Sequence, residues 1–552
     1  MSDHDDGRQP PPWSATRRGF LASLGKAGGA AVMYETMQAL GLFRAPREAR
    51  ADDAFTGLPS GSPTDVVVLG GGIAGLTAAY ELLKAGHSVT VLEARFRPGG
   101  RNWTARGGTT EREIDGPEQV CRFGDGYMNC GPARLPQGHI TIDYCRELGV
   151  ELQVFTNQNA DGFYFNESNA TTQYGALASK PIRHRTAKAD YYGYVSELLA
   201  KCSDQGALDT VLSASDKERL VEFLRSFGSL DASNTYLGGS RRGYSTVPGA
   251  GAQPGVPLAP VPSVSDVLAS RVGLNFSFEF GWDQAMLMFQ PVGGMDRIPF
   301  AFEAAIKKLG GEIVYGAEVT EILNTEDGVK IAYSCAGVAQ TFEASYAICT
   351  LPPMVLAHTS SNFAPEVKAA FSVPAAQSTG KVGFEYGRRW WEEDFRILGG
   401  ITNTNLNVGT IWYPAAGYLG KTGVVVGSYN FGANADYYAS LSPAARIEEA
   451  LTQGSKVHGP VYRKDVLAGW AVQWKRTRYS EGGWVSWQNQ ATNPAYALLN
   501  EPAGNVHFAG DHLSYEIAWQ AGAIYSARKA LASLGGRLAL GGTKPARRWA
   551  HA

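Results

Sequence analysis

The stretch Asp65-Val66-Val67-Val68-Leu69-Gly70-Gly71-Gly72-Ile73-Ala74-Gly75 decides the fold of this 552-residue chain. Its first five residues, mostly β-branched, read as a parallel strand buried on both faces. Leu76 to Ala85 then read as a helix stopped by Gly86, and Ser88 to Leu92 as a second strand ending at Glu93. In such a βαβ unit Gly70 permits the tight turn, Gly72 lets a pyrophosphate approach the backbone, and Gly75 packs helix on strand. Ile73, Ala74 and Gly75 open the helix, where free N–H groups and the positive dipole end favour phosphate. Glu93, eighteen residues past Gly75, is placed to accept both ribose hydroxyls. That acid disfavours a 2′-phosphate, so the unit predicts FAD or NAD rather than NADP. A lone GxGxxG is weak evidence, but here strand, helix, second strand and acid stand in order.

The next residues separate flavin from nicotinamide. Glu93-Ala94-Arg95 continues through Arg97-Pro98-Gly99-Gly100-Arg101, an extension that resembles the flavin amine oxidase superfamily. The resemblance runs from about residue 63 to 535. It implies an α/β (α+β) protein: a Rossmann-like FAD-binding domain, a mixed-sheet substrate domain and a helical subdomain, in a glutathione-reductase-like arrangement. Ala94, Arg95 and Gly100 would border the cofactor, with Arg101 on its pyrophosphate. Gln290 to Pro299 resembles the family segment leading into a helix to about Leu309. Strands follow at Glu312 to Val314, Ala317 to Ile322 and Tyr346 to Thr350, and the Val319 backbone stands where the family contacts adenine. Val506-His507-Phe508-Ala509-Gly510-Asp511 ends a strand in an acid expected on the ribityl-phosphate side; the family usually has Glu there. Ala518-Trp519-Gln520-Ala521-Gly522-Ala523 opens a helix from about Gln520 to Leu534. Ala518 and Trp519 are expected beside substrate, and Trp519, Gln520 and Ala523 along the isoalloxazine. Many family members carry glycine where this chain has Ala518.

Two further segments bear on the substrate and two on the flavin. Asn129-Cys130-Gly131-Pro132-Ala133-Arg134-Leu135-Pro136 resembles the Gly-x-x-Arg-x-Pro motif of L-amino acid oxidases. The resemblance makes Arg134 the group that grips the substrate carboxylate, with Ala133 and Arg134 also against the cofactor. A guanidinium suits this task because its parallel donors match a carboxylate bidentately. The bland reading is a salt-bridged loop arginine. Thr410-Ile411-Trp412-Tyr413-Pro414 resembles the strand whose tyrosine donates to the same carboxylate. Tyr413 is the expected donor, although a one-residue slip to Trp412 would reverse the face. Lys381, on an apolar predicted strand, matches the lysine that holds a water against the flavin and assists oxygen reduction; an outward lysine is the alternative. Trp474 matches the aromatic beside the flavin, or is a core tryptophan like Trp470, Trp484 and Trp487.

Composition sets the outer limits. Fifty Lys+Arg against 52 Asp+Glu leave a net charge of −2, which argues against a nucleic-acid binder. Hydrophobic residues at 44% are too many for a disordered chain. The six cysteines lack metal-type CxxC spacing, no metal site is expected, and free buried thiols are favoured over a Cys121/Cys130 pair. Thr16-Arg17-Arg18-Gly19-Phe20-Leu21, an Ala/Gly-rich run and Ala49-Arg50-Ala51 resemble a twin-arginine export signal over residues 1–51. That reading predicts a periplasmic or secreted protein without a stable membrane anchor after cleavage; the alternative is a disordered tail with an amphipathic helix.

The FAD-binding segments are placed at 63–103, 288–352 and 500–540, the substrate domain at 104–165 and 353–499, and a helical domain at 166–287. Within the last, 238–262 is a Gly/Pro-rich loop, either a cover for the site or a surface excursion. The resemblance implies FAD-dependent oxidative deamination of L-amino acids by oxygen, giving 2-oxo acid, ammonia and hydrogen peroxide, in a homodimer or larger oligomer. A monooxygenase forming amide would share every motif; an amine or polyamine oxidase lacking the carboxylate clamp, a dehydrogenase and a non-catalytic flavoprotein are the other readings. Glu385 and Glu516 are acids that would favour Lys or Arg as substrate; the aromatics would favour Phe, Tyr or Trp.

Overall fold

The computed structural model describes residues 55–59, 63–284 and 287–540. The expected export signal lies outside the described residues. No described helix is long and apolar enough to cross a membrane.

A five-stranded parallel sheet carries the glycine turn. Its order is Glu312–Tyr315, Ser88–Glu93, Asp65–Leu69, Tyr346–Cys349, Val506–Phe508, so three remote stretches of chain interleave. Strand residues alternate between faces. Val67 and Leu69 join Ala317, Ile322 and Ile331 of a four-stranded sheet in one core. On the helical side, Ile73–Lys84 packs against Arg297–Lys308 and Gln520–Ala539. Burial on both faces explains the continuous apolar run Val66–Leu69.

A seven-stranded mixed sheet faces the other side of the site. Its order is Ile182–Arg183, Phe163–Phe165, Ile401–Thr404, Thr410–Trp412, Gly423–Phe431, Thr379–Tyr386, Val466–Gln473. The strand Thr379–Tyr386 is buried at all eight positions. Val382, Phe384 and Tyr386 enter a core with Trp390, Trp391 and Tyr462. The alternate residues Lys381, Gly383 and Glu385 meet the segment 124–131. Period-two alternation thus turns Lys381 inward, and the outward alternative is excluded.

Helices His184–Asp204 and Ala214–Gly228 form the helical part. The Gly/Pro-rich loop starts against the first of them at Ser240–Arg242 and carries a small exposed hairpin, Tyr244–Thr246 with Val256–Pro257. It is anchored by the buried pair Arg242–Asp190, 2.7 Å, to which Tyr236 adds a hydroxyl bond of 2.8 Å. None of residues 238–262 lies on the wall of the main cavity. All six cysteines are free.

Candidate active site

A cavity of about 1130 Å³ lies between the two large sheets. Small-molecule sites usually occupy ~300–1,000 Å³, so this one has room for a dinucleotide and a substrate together. Gly70, Gly72, Ile73 and Ala74 form one wall. Gly70 has φ +97°, which a side chain would resist. A Cβ built on Gly72 would meet nothing within 4 Å, so open space fronts the helix start. Gly75 does not reach the wall. A Cβ there would lie 1.9 Å from the Gly70 carbonyl, so its part is helix-on-strand contact, and the expectation that it also meets the cofactor is corrected. The three glycines therefore serve differently: Gly70 makes the turn, Gly72 leaves open space, and Gly75 makes the packed contact.

Glu93 is buried and lines the cavity, accepting N–H bonds from Gly71 (2.6 Å) and Arg95 (2.8 Å). Each carboxylate oxygen has two lone-pair sites, so capacity for ribose hydroxyls remains. Arg101 donates to the Gly483 carbonyl at 2.6 Å and is ion-paired to Asp511. Burial pushes the Asp511 carboxyl up, but the Arg101 and His512 charges and the Ala518 N–H hold it below its ordinary value. Ala518 itself has φ +70°. In this left-handed conformation a methyl costs roughly 1–2 kcal/mol that glycine avoids, which accounts for the family's usual residue.

Val319 sits on the wall at a register shift between Val319 and Glu321. Ala94, Arg95, Gly100, Trp519, Gln520 and Ala523 also line the cavity. The Gln520 amide is buried with neither polar atom partnered. Trp519 and Gln520 start a second helix with no side-chain cap, so two uncapped helix starts, those at Ile73 and Gln520, border one cavity. Orphaned buried donors of this kind call for a polar ligand. An orphaned amide, an uncapped turn with free space before Gly72 and a buried acid at the second strand end all fit FAD.

On the opposite wall Lys381 is 1% exposed. Its Nζ donates to the carbonyls of Asn129 (2.9 Å) and Gly131 (2.5 Å) and lies 4.6 Å from the Tyr429 ring centre. Burial lowers its pKa to about 7, with the Arg134 charge adding to the effect. Trp474 lies beside them, its Nε1 bonded to the Cys130 carbonyl at 3.1 Å. Arg134, with Ala133 beside it on the wall, stacks over Trp412 at 4.5 Å and donates to Gln284 at 2.9 Å. Its Nε is buried without a partner, and no described carboxylate comes within ion-pair distance of it. Burial lowers it to about 10, so it stays charged at neutral pH. The salt-bridged alternative for Arg134 does not hold among the described residues.

Tyr413 is elsewhere, and the expectation that it binds substrate is corrected. It is buried in the aromatic core behind the sheet, its hydroxyl 2.7 Å from Thr402 Oγ1 and 2.9 Å from His458 Nε2. Period-two alternation gives the wall to its neighbour Trp412. Tyr413→Phe is therefore expected to lower stability by about 1–3 kcal/mol through the stranded Thr402 and His458 groups, with kcat/KM changed less than about threefold. Thermal melting and steady-state kinetics check both halves. Glu385 also misses the wall, spending its oxygens on the N–H groups of Gly124 and Gly126. Glu516 likewise does not line the cavity; it lies 3.8 Å from the buried His139.

Several wall residues have no motif in the sequence. Tyr429 arrives through pairing with Lys381 on one side and Thr410 on the other. Phe278 and Gln284 come from the helical segment and stand at the mouth beside Arg134. Only pairing registers and tertiary packing bring them there. For Trp412 the signal was present, in the alternation that exchanges it with Tyr413.

Comparison with known proteins agrees with this geometry. The family described as flavin containing amine oxidoreductase matches residues 73–532. "Putative L-amino-acid oxidase YobN" of Bacillus subtilis (strain 168) is 28% identical over 476 residues, covering 84% of this chain and 93% of its own. An L-amino-acid oxidase of Echis ocellatus is 27% identical over 477 residues, with 83% and 86% covered. The solved cyclohexylamine oxidase from Brevibacterium oxydans IH-35A superposes with a TM-score of 0.56 at 17% identity, covering 86% of this chain and all of the other. A family match over most of the length, falling on a cavity already shaped for a dinucleotide, establishes that this chain belongs to the flavin-containing amine oxidoreductases and binds FAD.

Proposed function

We propose that this protein is an L-amino acid oxidase, converting an L-amino acid, oxygen and water into a 2-oxo acid, ammonia and hydrogen peroxide. The observation that carries the reading is Arg134: a buried cation on the cavity wall with an unpartnered Nε and no described carboxylate paired to it. Burying an unpaired charge is costly. A substrate carboxylate would relieve that cost by a bidentate contact. A plain amine would not. Relatives named as L-amino-acid oxidases support the same choice.

Bound FAD supplies the hydride acceptor and the route of electrons to oxygen. The chain's own residues do the positioning. Trp412 stacks on Arg134 and fixes the plane in which the carboxylate is received. Two carbonyls pin Lys381 Nζ, and its pKa near 7 lets it hold or release a proton at neutral pH. His512 also lines the cavity, but burial lowers it to about 4, so it is neutral in the working range.

An anaerobic titration of the yellow protein tests the reading. L-Amino acids should bleach the flavin absorbance and their decarboxylated amines should not; ammonia, peroxide and 2-oxo acid should then accumulate in air. Equal bleaching by the amines would remove the carboxylate clamp, and amide with carbon dioxide as products would replace the oxidase by a monooxygenase.

A further inference from the structure

The short turn Trp282–Gln284 touches three separate parts of the chain at the mouth of the cavity. Trp282 packs on the buried His139 ring, 5.4 Å between centres, and a Cβ on Gly138 would come within 3.0 Å of it. Asp283 accepts the Trp519 indole N–H at 2.9 Å. Gln284 lines the cavity, and its Oε1 accepts from Arg134 Nη2 at 2.9 Å. Just upstream, Phe278 sets its ring 5.8 Å from the same guanidinium. Its neighbour Glu279 ties the segment to helix His184–Asp204 through Lys188, at 2.6 Å. Among the described residues, Gln284 is the one hydrogen-bond partner of the Arg134 side chain.

A guanidinium offers a carboxylate two forks, Nε with Nη2 or Nη1 with Nη2, and Nη2 belongs to both. Gln284 therefore stands on the nitrogen that either bidentate contact needs. A neutral amide oxygen satisfies that donor without neutralising the buried charge, whereas a carboxylate does both. The order of residues in the turn matters. Asp283, one position earlier, is turned to the Trp519 indole, and its charge reaches Arg134 only through space. An acid at position 284 itself would close an ion pair on the clamp and shut other carboxylates out.

We propose that Gln284 is a placeholder for the substrate carboxylate: it keeps one donor of the clamp satisfied between turnovers and gives it up when an acid binds. The proposal rests on the amino acid oxidase reading above. Its test measures the dissociation constant of benzoate, a carboxylate with no amine to oxidise, from the flavin difference spectrum of the holoenzyme. Gln284→Leu should bind benzoate about fivefold or more tighter, because no bond to the clamp has to be given up. Gln284→Glu, nearly isosteric, should bind it about thirtyfold or more weaker, because a carboxylate already holds the clamp. Melting temperatures should move the other way, down in Gln284→Leu and up in Gln284→Glu, whereas structural damage would weaken binding and stability together. Arg134→Gln, expected to bind benzoate about thirtyfold or more weaker, checks the clamp itself. If it does so while affinity in Gln284→Leu is unchanged or lower, or affinity in Gln284→Glu stays within about threefold of wild type, the placeholder is overturned and the clamp stands. If Arg134→Gln binds benzoate as well as wild type, the clamp fails first and takes the placeholder with it.

Discussion

Arg134→Gln is expected to lower kcat/KM for L-amino acids by about 30- to 5,000-fold while the protein stays yellow. The range follows from the ~2–5 kcal/mol lost when one member of a buried hydrogen-bonded charge pair is truncated, at ~1.4 kcal/mol per tenfold. The substitution keeps a polar amide but shortens the side chain by two heavy atoms and removes the charge, the fork and the bond to Gln284. Two companion readings identify the cause. Turnover of the decarboxylated amine, already poor, should not fall further. The cofactor-free fold should be no less stable, because the change removes a buried cation without a described ion-pair partner. A loss shared equally by acid and amine would instead mean that Arg134 shapes the cavity rather than grips a carboxylate.

Lys381→Met should reduce turnover in air by about 10²–10⁴-fold, the usual range for a positioned proton donor or acceptor. Its sign in stability is opposite to its sign in activity. Lys381 has an ordinary pKa of 10.5 and about 7 in the folded protein. Between those values the unfolded chain holds the proton and the folded chain does not, so this group makes stability rise with pH across the window. Below pH 7 both states are protonated and the burial penalty is felt in full. It amounts to at most about 5 kcal/mol, from 3.5 pKa units at ~1.4 kcal/mol each. Melting curves should therefore place the methionine variant above the wild type at pH 6, with the gap closing towards pH 10. A variant that melts lower at pH 6 would mean that the two carbonyl bonds outweigh desolvation. One that turns over normally would mean that the amine is structural.

The dinucleotide half of the site was readable because its physics is local. Gly70, Gly72 and Glu93 act through turn geometry and a strand end, which leave marks at fixed spacings. Arg101 and Asp511 were found by family spacing, and the structure adds their ion pair, 410 residues apart in sequence. The substrate half was harder because its information lies in pairing registers. The extra residue between Val382/Gly383 and their partners shifts the alternation of Gly423–Phe431, so Val426 and Tyr429, three apart, meet the same cross-strand face. No period in the sequence shows that. Trp412 and Tyr413 differ only in phase, and the aromatic core around His458 takes the tyrosine. Glu385 looked like a specificity group until its partners, two backbone N–H groups on a distant loop, were in view.

The interleaved parallel sheet has a consequence for synthesis. Its central strand is Asp65–Leu69 and its last edge is Val506–Phe508, 441 positions later. At ~5–20 residues per second a ribosome delivers the second roughly 20–90 s after the first. Until then the edge of Tyr346–Cys349 is bare, Arg101 lacks its acid, and the uncapped helix start at Gln520 has not been made. A nascent chain thus cannot capture its prosthetic group during most of its translation, and release-arrested chains ending before residue 500 should emerge colourless and dependent on chaperones.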